Sequence, residues 1–159
     1  MTIMWRYLWV VAAIFVLDQL TKLAATEFLL RHGEIPLTPF LNLVLVHNTG
    51  AAFGFLSSAG GWQNIFFIIV AAAASVFILW MISRLDNKDR LLVVALMLVL
   101  GGALGNLTDR LIHGYVIDFI DVYYATWHWP AFNVADSAIT IGAVILLLDA
   151  LRLGSRKSR

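Results

Sequence analysis

The sequence predicts an all-α membrane protein with four transmembrane helices and both termini in the cytoplasm. Of its 159 residues, 61% are hydrophobic and only 13% are charged, whereas a soluble domain is about 45–50% apolar. Four stretches, 5–25, 62–83, 91–112 and 132–153, are apolar and long enough to cross a bilayer, which takes about 20 residues. We also expect a small extracytoplasmic β-sheet and a short interfacial helix outside these spans.

Lysine and arginine are distributed unevenly along the chain. Eight of the eleven lie near the N-terminus, in the polar hinge 84–90 or in the C-terminal tail. Because loops rich in these residues stay in the cytoplasm, the hinge and both termini are predicted inside and residues 26–61 and 113–131 outside. We expect the first stretch to be a retained anchor, since Asp18, Gln19 and Lys22 stand where a signal peptide would have small residues for cleavage.

The two outer segments are predicted to carry different structures. Residues 34–48 contain Pro36 and Pro39, which exclude a regular helix at the start, followed by the β-favouring run FLNLVLV. A strand fits this run, and residues 50–61 suit a second strand or a turn-rich return; an irregular apolar loop is the alternative. Residues 116–130 are rich in tyrosine and tryptophan, which favour the headgroup layer, so we expect the interfacial helix there. No internal repeat or linker divides the chain, which predicts a single domain over 1–159.

Several polar side chains interrupt the apolar stretches, where they are costly and therefore candidates for function. Asp18 and Lys22 are four residues apart and share a helix face. They form either a structural ion pair at the membrane edge or part of an active site. Gly101 and Gly105 have the spacing that lets another helix approach closely. One polar stripe in the third span must face the bundle interior, as structural glue or as part of a site: Gly102, Asn106, Asp109, Arg110 and His113.

Two further carboxylates are predicted to converge at one depth of the membrane. Asp118 follows the outer end of the third span, and Asp136 lies just inside the fourth, with Asn133 on the same helix face. Asp121 competes with Asp118 and ranks second because its surroundings are more interfacial. The alternative for each acid is a solvated position or a favourable charge at a helix N-terminus.

A pair of carboxylates in a poorly solvated cleft suits hydrolysis. The two cannot both ionise comfortably, so one pKa rises and they share a proton. The ionised member can take a proton from water while the other protonates a carbonyl oxygen, which cleaves a peptide bond without a covalent intermediate. The sequence has no cysteine, no HExxH and no GxSxG, so thiolate, zinc and serine-triad chemistry are not indicated.

Two other function classes stay open. Buried Asp, Asn and Arg also line proton or ion paths, but four spans are few, no inverted repeat is visible, and the acids lie at the outer edge instead of the midplane. A purely structural or chaperone-like membrane protein is the third possibility.

Five motifs, taken in order, resemble those of the lipoprotein signal peptidase (signal peptidase II) family of bacteria. They are DQLTK (18–22), NTGAAFG (48–54), GGALGNLTDRL (101–111), VIDF (116–119) and FNVADSAI (132–139). The resemblance covers nearly the whole chain. It implies an aspartic endopeptidase of the bacterial cytoplasmic (inner) membrane that uses no metal or cofactor. Such an enzyme cuts prolipoproteins just before a cysteine that carries a diacylglyceryl group.

The resemblance also implies residue roles and partners. It places the catalytic pair at Asp118 and Asp136, near the outer face of the membrane. The implied partners are lipidated prolipoproteins and membrane lipids, with no nucleic acid, and a monomer is expected. Seven positions match the family's substrate-binding or site-supporting motif positions: Asn48, Gly102, Asn106, Arg110, Asn133, Asp18 and Lys22.

Overall fold

Four long helices dominate the structure, a computed structural model that describes residues 3–50, 61–86 and 89–157. Each is apolar and long enough to cross a membrane, so the chain is a multi-pass membrane protein and the four predicted spans are confirmed. The first helix continues to residue 32, well beyond the predicted end at 25. The helices are α1 Ile3–His32, α2 Trp62–Ser83, α3 Arg90–His113 and α4 Val134–Lys157.

Helix α3 is the centre of the bundle and packs against each of the other three helices. At the end that carries the starts of α1 and α3, apolar side chains form a core that includes Val10, Ile82, Val93 and Met97. Polar side chains are buried at the opposite end, next to the sheet. The bundle therefore separates a packing end from an end that can carry chemistry.

Glycines on α3 allow its neighbours to approach closely. A Cβ on Gly101 would lie 2.9 Å from Cβ of Ile14 in α1, and one on Gly105 would lie 2.5 Å from Oδ2 of Asp18. This pair therefore faces α1, as its spacing predicted. Gly102 faces α4 instead, where a Cβ would overlap the backbone carbonyl oxygen of Ala135. The first turn of α4 is thus held directly against α3.

Gly102→Ala is expected to destabilise the protein and to displace Asp136. The added methyl group meets backbone, which cannot rotate away, and overpacking of this kind costs about 1–3 kcal/mol. Gly101→Ala is the matched comparison and should cost less, because its nearest contact, Cβ of Ile14, lies at 2.9 Å and its nearest backbone contact, the carbonyl oxygen of Val11, lies at 3.2 Å. Tryptophan fluorescence during thermal unfolding in detergent measures both variants. An unchanged Tm for Gly102→Ala would contradict the close contact with Ala135.

In the described part of the chain, a four-stranded antiparallel sheet lies at the polar end of the bundle. Its strands, in the order in which they pair, are β1 Ile35–Thr38, β2 Leu41–Asn48, β3 Val116–Tyr124 and β4 Trp127–His128. Strand β2 contains the run predicted to be extended, and Val46 of β2 stands opposite Asp118 of β3. An isolated bridge between Ile120 and Phe132 ties β3 to the residues that precede α4. The predicted second strand or return at 50–61 falls almost wholly on residues 51–60, which lie outside the described residues.

The prediction of an interfacial helix over residues 116–130 was wrong, because this segment forms β3 and β4. Gly114 ends α3 in the left-handed conformation, with φ 83°, and turns the chain towards the sheet. From there β-branched and aromatic residues favour the extended form. Pairing with β2 also satisfies backbone groups of both strands wherever the two are in register.

Candidate active site

Asp136 is held at the start of α4 by reciprocal hydrogen bonds with Asn133. The backbone N–H of Asp136 donates to Oδ1 of Asn133 at 2.9 Å, and the backbone N–H of Asn133 donates to Oδ2 of Asp136 at 3.2 Å. This is a capping box, which satisfies two backbone donors that a helix start leaves free. It also keeps the carboxylate at the positive end of the helix dipole. The three-residue spacing of Asn133 and Asp136 is the spacing that these two capping hydrogen bonds require.

Asn133 also joins Asp136 to Asp118. Its buried amide nitrogen donates to Oδ1 of Asp118 at 2.7 Å. Asn48 donates to the other oxygen of Asp118 at 2.9 Å, and Asn106 donates to Oδ1 of Asp136 at 2.8 Å. The structure therefore brings together both carboxylates and three asparagines that the sequence singled out, from β2, α3, β3 and the start of α4.

Asp118 is buried, with only 1% of the residue exposed. Burial, and then the negative charge of Asp136, raise its pKa from an ordinary 3.8 to about 7. Hydrogen bonds from Asn48 and Asn133 and the charge of Lys22 act in the opposite direction and lower it. Near neutral pH this group can therefore hold or release a proton, as general acid–base chemistry requires.

Asp118→Asn is expected to stabilise the protein relative to wild type as pH rises. Because the pKa of Asp118 is higher in the folded state, its favourable contribution is complete below about pH 4 and is lost as pH rises through about 7. An amide does not titrate, so the Tm difference between variant and wild type should grow in favour of the variant from pH 4 to 8. Thermal unfolding across this range measures it, and a pH-independent difference would contradict the raised pKa.

Lys22 is the centre of a buried ion cluster next to the two carboxylates. Its ammonium lies 2.8 Å from Oδ2 of Asp18 and 2.8 Å from Oδ2 of Asp109. The predicted pair of Asp18 and Lys22 is therefore present, with a third member from α3. Gln19 donates to both acids, at 3.2 Å and 2.9 Å. Sequence reasoning missed this role because Gln19 was considered only as evidence against a signal-peptide cleavage site.

The ion cluster also determines how Asn106 is oriented. Lys22 can only donate, and its Nζ lies 2.9 Å from Oδ1 of Asn106. The amide nitrogen of Asn106 consequently points to Asp136. Asp18 reaches the same region from the other side, because its Oδ1 accepts the backbone N–H of Ala135 at 2.9 Å. These contacts connect α1 to the position of Asp136.

Arg110 contacts the backbone that follows β2. Its Nη2 donates to the carbonyl oxygen of Gly50 at 2.8 Å, and Nη1 lies 3.5 Å from the carbonyl oxygen of Asn48. The guanidinium carbon lies 4.8 Å from the ring centre of Phe67, a cation–π arrangement. Arg110 therefore uses its planar fork and its face together to hold Asn48 close to Asp118.

Arg110→Lys is expected to lower the rate of any hydrolysis catalysed by this pair of carboxylates about tenfold. A lysine keeps the positive charge but lacks the planar guanidinium, which donates two hydrogen bonds in a fixed geometry and stacks on an aromatic ring. Arg84→Lys is a matched control, because Arg84 also lies over an aromatic ring, that of Trp80. Arg84 is exposed at the C-terminal end of α2, whereas Phe67, which Arg110 contacts, lies near the start of that helix. Initial rates of the two variants give the comparison. Wild-type activity in Arg110→Lys would show that its planar geometry is not used.

Two acidic or basic residues considered in the sequence lie outside this network. Asp121 is three residues from Asp118 on one strand, so it points to the opposite face of the sheet. There it accepts hydrogen bonds from Asn42 at 3.0 Å and from His128 at 2.9 Å. His113 is exposed and stacks with Tyr115 instead of joining the stripe towards Asp136.

An open cavity of about 460 Å³ lies beside Asp136. Its polar lining residues include Asn48 and Asp136, together with Ser137 and Thr140 of α4, while residues such as Phe132, Ile139 and Ile141 make most of the wall apolar. We call it the membrane-side cavity. Within the described residues, no group of three or more His, Asp or Glu is placed to hold a metal ion. The arrangement places two carboxylates, joined through Asn133, next to an apolar space.

Known proteins are similar to this chain in sequence and in fold. The family model described as "Signal peptidase (SPase) II" matches residues 10–152. A lipoprotein signal peptidase of Alteromonas mediterranea is 50% identical over 96% of this chain and 84% of its own. One of Polynucleobacter necessarius is 48% identical over 96% and 93%.

A solved structure shares the fold of this chain. A bacterial membrane enzyme structure obtained by the in meso method superposes with a TM-score of 0.82 at 29% identity, covering 96% of this chain and 91% of that one. The chain therefore belongs to the signal peptidase II family of lipoprotein signal peptidases.

Proposed function

We propose that this chain is an aspartic endopeptidase that removes signal peptides from diacylglyceryl-modified prolipoproteins, cutting directly before the lipidated cysteine. Family membership supports cleavage of signal peptides from prolipoproteins. The observation that carries the aspartic mechanism is the position of Asn133, which donates to both Asp118 and Asp136 at the edge of an apolar cavity. The catalytic pair is thus Asp118 and Asp136.

The pair works by sharing one proton. The raised pKa of Asp118 keeps that proton near neutral pH, and the titration belongs to the pair as a whole. The ionised carboxylate removes a proton from a water molecule, which attacks the carbonyl carbon of the scissile bond. The protonated carboxyl group donates to the carbonyl oxygen and, after proton exchange, the leaving amine is protonated. No covalent intermediate with the protein forms.

The surrounding residues position the two carboxylates and bind the substrate. Asn48, Asn106 and Asn133 orient the two carboxylates through hydrogen bonds. Asp18 and Lys22 support this arrangement through Asn106 and Ala135. Gly102 sets the distance between α3 and α4, and Arg110 holds the chain at Asn48. The apolar wall of the membrane-side cavity accepts the signal helix or the lipid chains.

The charge distribution supports a topology with both termini and the 84–90 hinge in the cytoplasm. In this orientation the sheet and the two carboxylates lie near the outer face of the bacterial cytoplasmic membrane, where a signal helix ends. The enzyme acts as a monomer on its lipidated substrates within the membrane, and it needs no metal or cofactor.

Cleavage of a purified, diacylglyceryl-modified prolipoprotein, followed by a gel shift, tests this function. Wild-type protein in detergent should cut it, and should not cut the same prolipoprotein before lipid is attached. EDTA should leave the rate unchanged. If neither form is cut, the peptidase proposal is wrong; proton flux across reconstituted vesicles would then support the transport alternative. Inhibition by EDTA would contradict the metal-free mechanism.

A further inference from the structure

A second, larger cavity lies on the other side of the residues that wall the membrane-side cavity. It is open and measures about 760 Å³. Trp129, Pro130 and Ala131 line both cavities, so this short segment is their common wall. We call the larger one the sheet-side cavity, because Val44–Val46 of β2 and Asp121 of β3 line it together with Glu34.

The two cavities differ in chemistry. The membrane-side cavity has an apolar wall from α4, whereas the sheet-side cavity contains Glu34, Asp121 and His128. The carboxylate of Asp121 is already engaged by Asn42 and His128. Glu34 is exposed and has no ion-pair partner among the residues that the structure describes. Its charge is therefore available to a ligand.

The backbone of β2 is also available at this cavity. Pairing between β2 and β3 shifts register between Leu43 and Val46, where Val44 and Leu45 together stand opposite the single residue Phe119 of β3. The pairing of β1 with β2 ends at Leu43, so the other edge of β2 has no partner in β1 beyond this point. A bulge of this kind leaves its extra residue out of the ladder. An extended peptide can bind such backbone groups as an added strand does.

We propose that the sheet-side cavity binds the first residues that follow the lipidated cysteine, and that Glu34 favours a positively charged side chain among them. This inference rests on the proposed function, because a peptide cut beside Asp136 continues in two directions. The apolar signal segment fits the membrane-side cavity. The polar segment after the cut must leave towards the sheet, and the next space past the common wall is the sheet-side cavity.

Two lipidated prolipoproteins that differ only in the second and third residues after the cut, Lys-Lys in one and Glu-Glu in the other, test the proposal. Wild-type protein should cleave the Lys-Lys form with a kcat/KM about fivefold higher, as expected for attraction and repulsion at an exposed charge. Glu34→Gln should reduce this ratio to less than about twofold. Glu27→Gln is the matched control: Glu27 is an exposed acid of α1 that does not line the cavity.

Each outcome decides the proposal. A reduced ratio in Glu34→Gln with an unchanged ratio in Glu27→Gln supports it. Equal cleavage of both substrates by wild type overturns it while leaving the proposed peptidase intact. A similar loss of both rates in Glu34→Gln, with the ratio preserved, assigns Glu34 a structural role and also overturns it. If wild type cleaves neither substrate, the proposed function fails, and this inference fails with it.

Discussion

Asp136→Asn is expected to lower cleavage of a lipidated prolipoprotein by roughly a thousandfold, within the range for loss of a general acid or base. An amide cannot take a proton from water or share one with Asp118. The fold should persist, because the oxygen of the new side chain can still accept the backbone N–H of Asn133, as Asp136 does at 3.2 Å. The variant therefore separates chemistry from helix capping.

Initial rates and Tm, measured on the same preparation, check this prediction. Asp149→Asn is the control, since it makes the same change on the same helix 13 residues further along, about 20 Å away. It should retain wild-type cleavage. A folded Asp136→Asn protein that keeps more than a tenth of wild-type activity would remove Asp136 from the catalytic pair. A protein that no longer folds would point to capping as the main role of this residue.

Lys22→Met is expected to destabilise the protein by about 3–5 kcal/mol, the cost of removing one partner of a buried ion pair and leaving the other charge uncompensated. Lys22 is 2% exposed and Asp18 is fully buried, so neither Asp18 nor Asp109 can regain solvent when the ammonium is lost. Methionine has a similar length and leaves no large cavity. Asn106 would lose the donor that orients its amide, so cleavage should fall as well.

A double substitution shows whether the charge is the cause. Lys22→Met combined with Asp109→Asn removes one of the two uncompensated carboxylates, and should recover part of the lost Tm. Arg31→Met, an exposed cation on the same helix, should leave Tm nearly unchanged. If Lys22→Met has the stability of wild type, the ion cluster does not hold α1 against α3.

The spans were predictable because bilayer thickness imposes a length and a composition that the sequence shows directly. The strand at Leu41–Asn48 was predictable for a local reason, since prolines exclude helix before it and β-favouring residues follow. Residues 116–130 were not, because their aromatics fit either a membrane surface or a strand. The extended form is favoured by pairing with the edge of β2, whose residues lie 68 to 81 positions away in the sequence from their partners in β3.

Around Asp136, too, contacts set by local spacing could be predicted from the sequence, whereas contacts set by tertiary packing could not. Asn133 and Asp136 share a helical turn, so their spacing indicated their contact. The partnership of Lys22 with Asp109 depends on how α1 packs against α3, and that packing depends on the glycines of α3. Asp121 and Asp118 point to opposite faces of the sheet because side chains alternate along a strand. A helix over the same residues would have placed both acids on one face.

The most direct test of the central claim compares two acids on one strand. Asp118→Asn and Asp121→Asn are made in the same background and assayed by gel shift on the lipidated prolipoprotein, with and without EDTA. We predict that Asp118→Asn shows no cleavage, that Asp121→Asn retains cleavage within about tenfold of wild type, and that EDTA changes neither result. Cleavage by a folded Asp118→Asn protein, or its loss in Asp121→Asn alone, would contradict the pairing of Asp118 with Asp136.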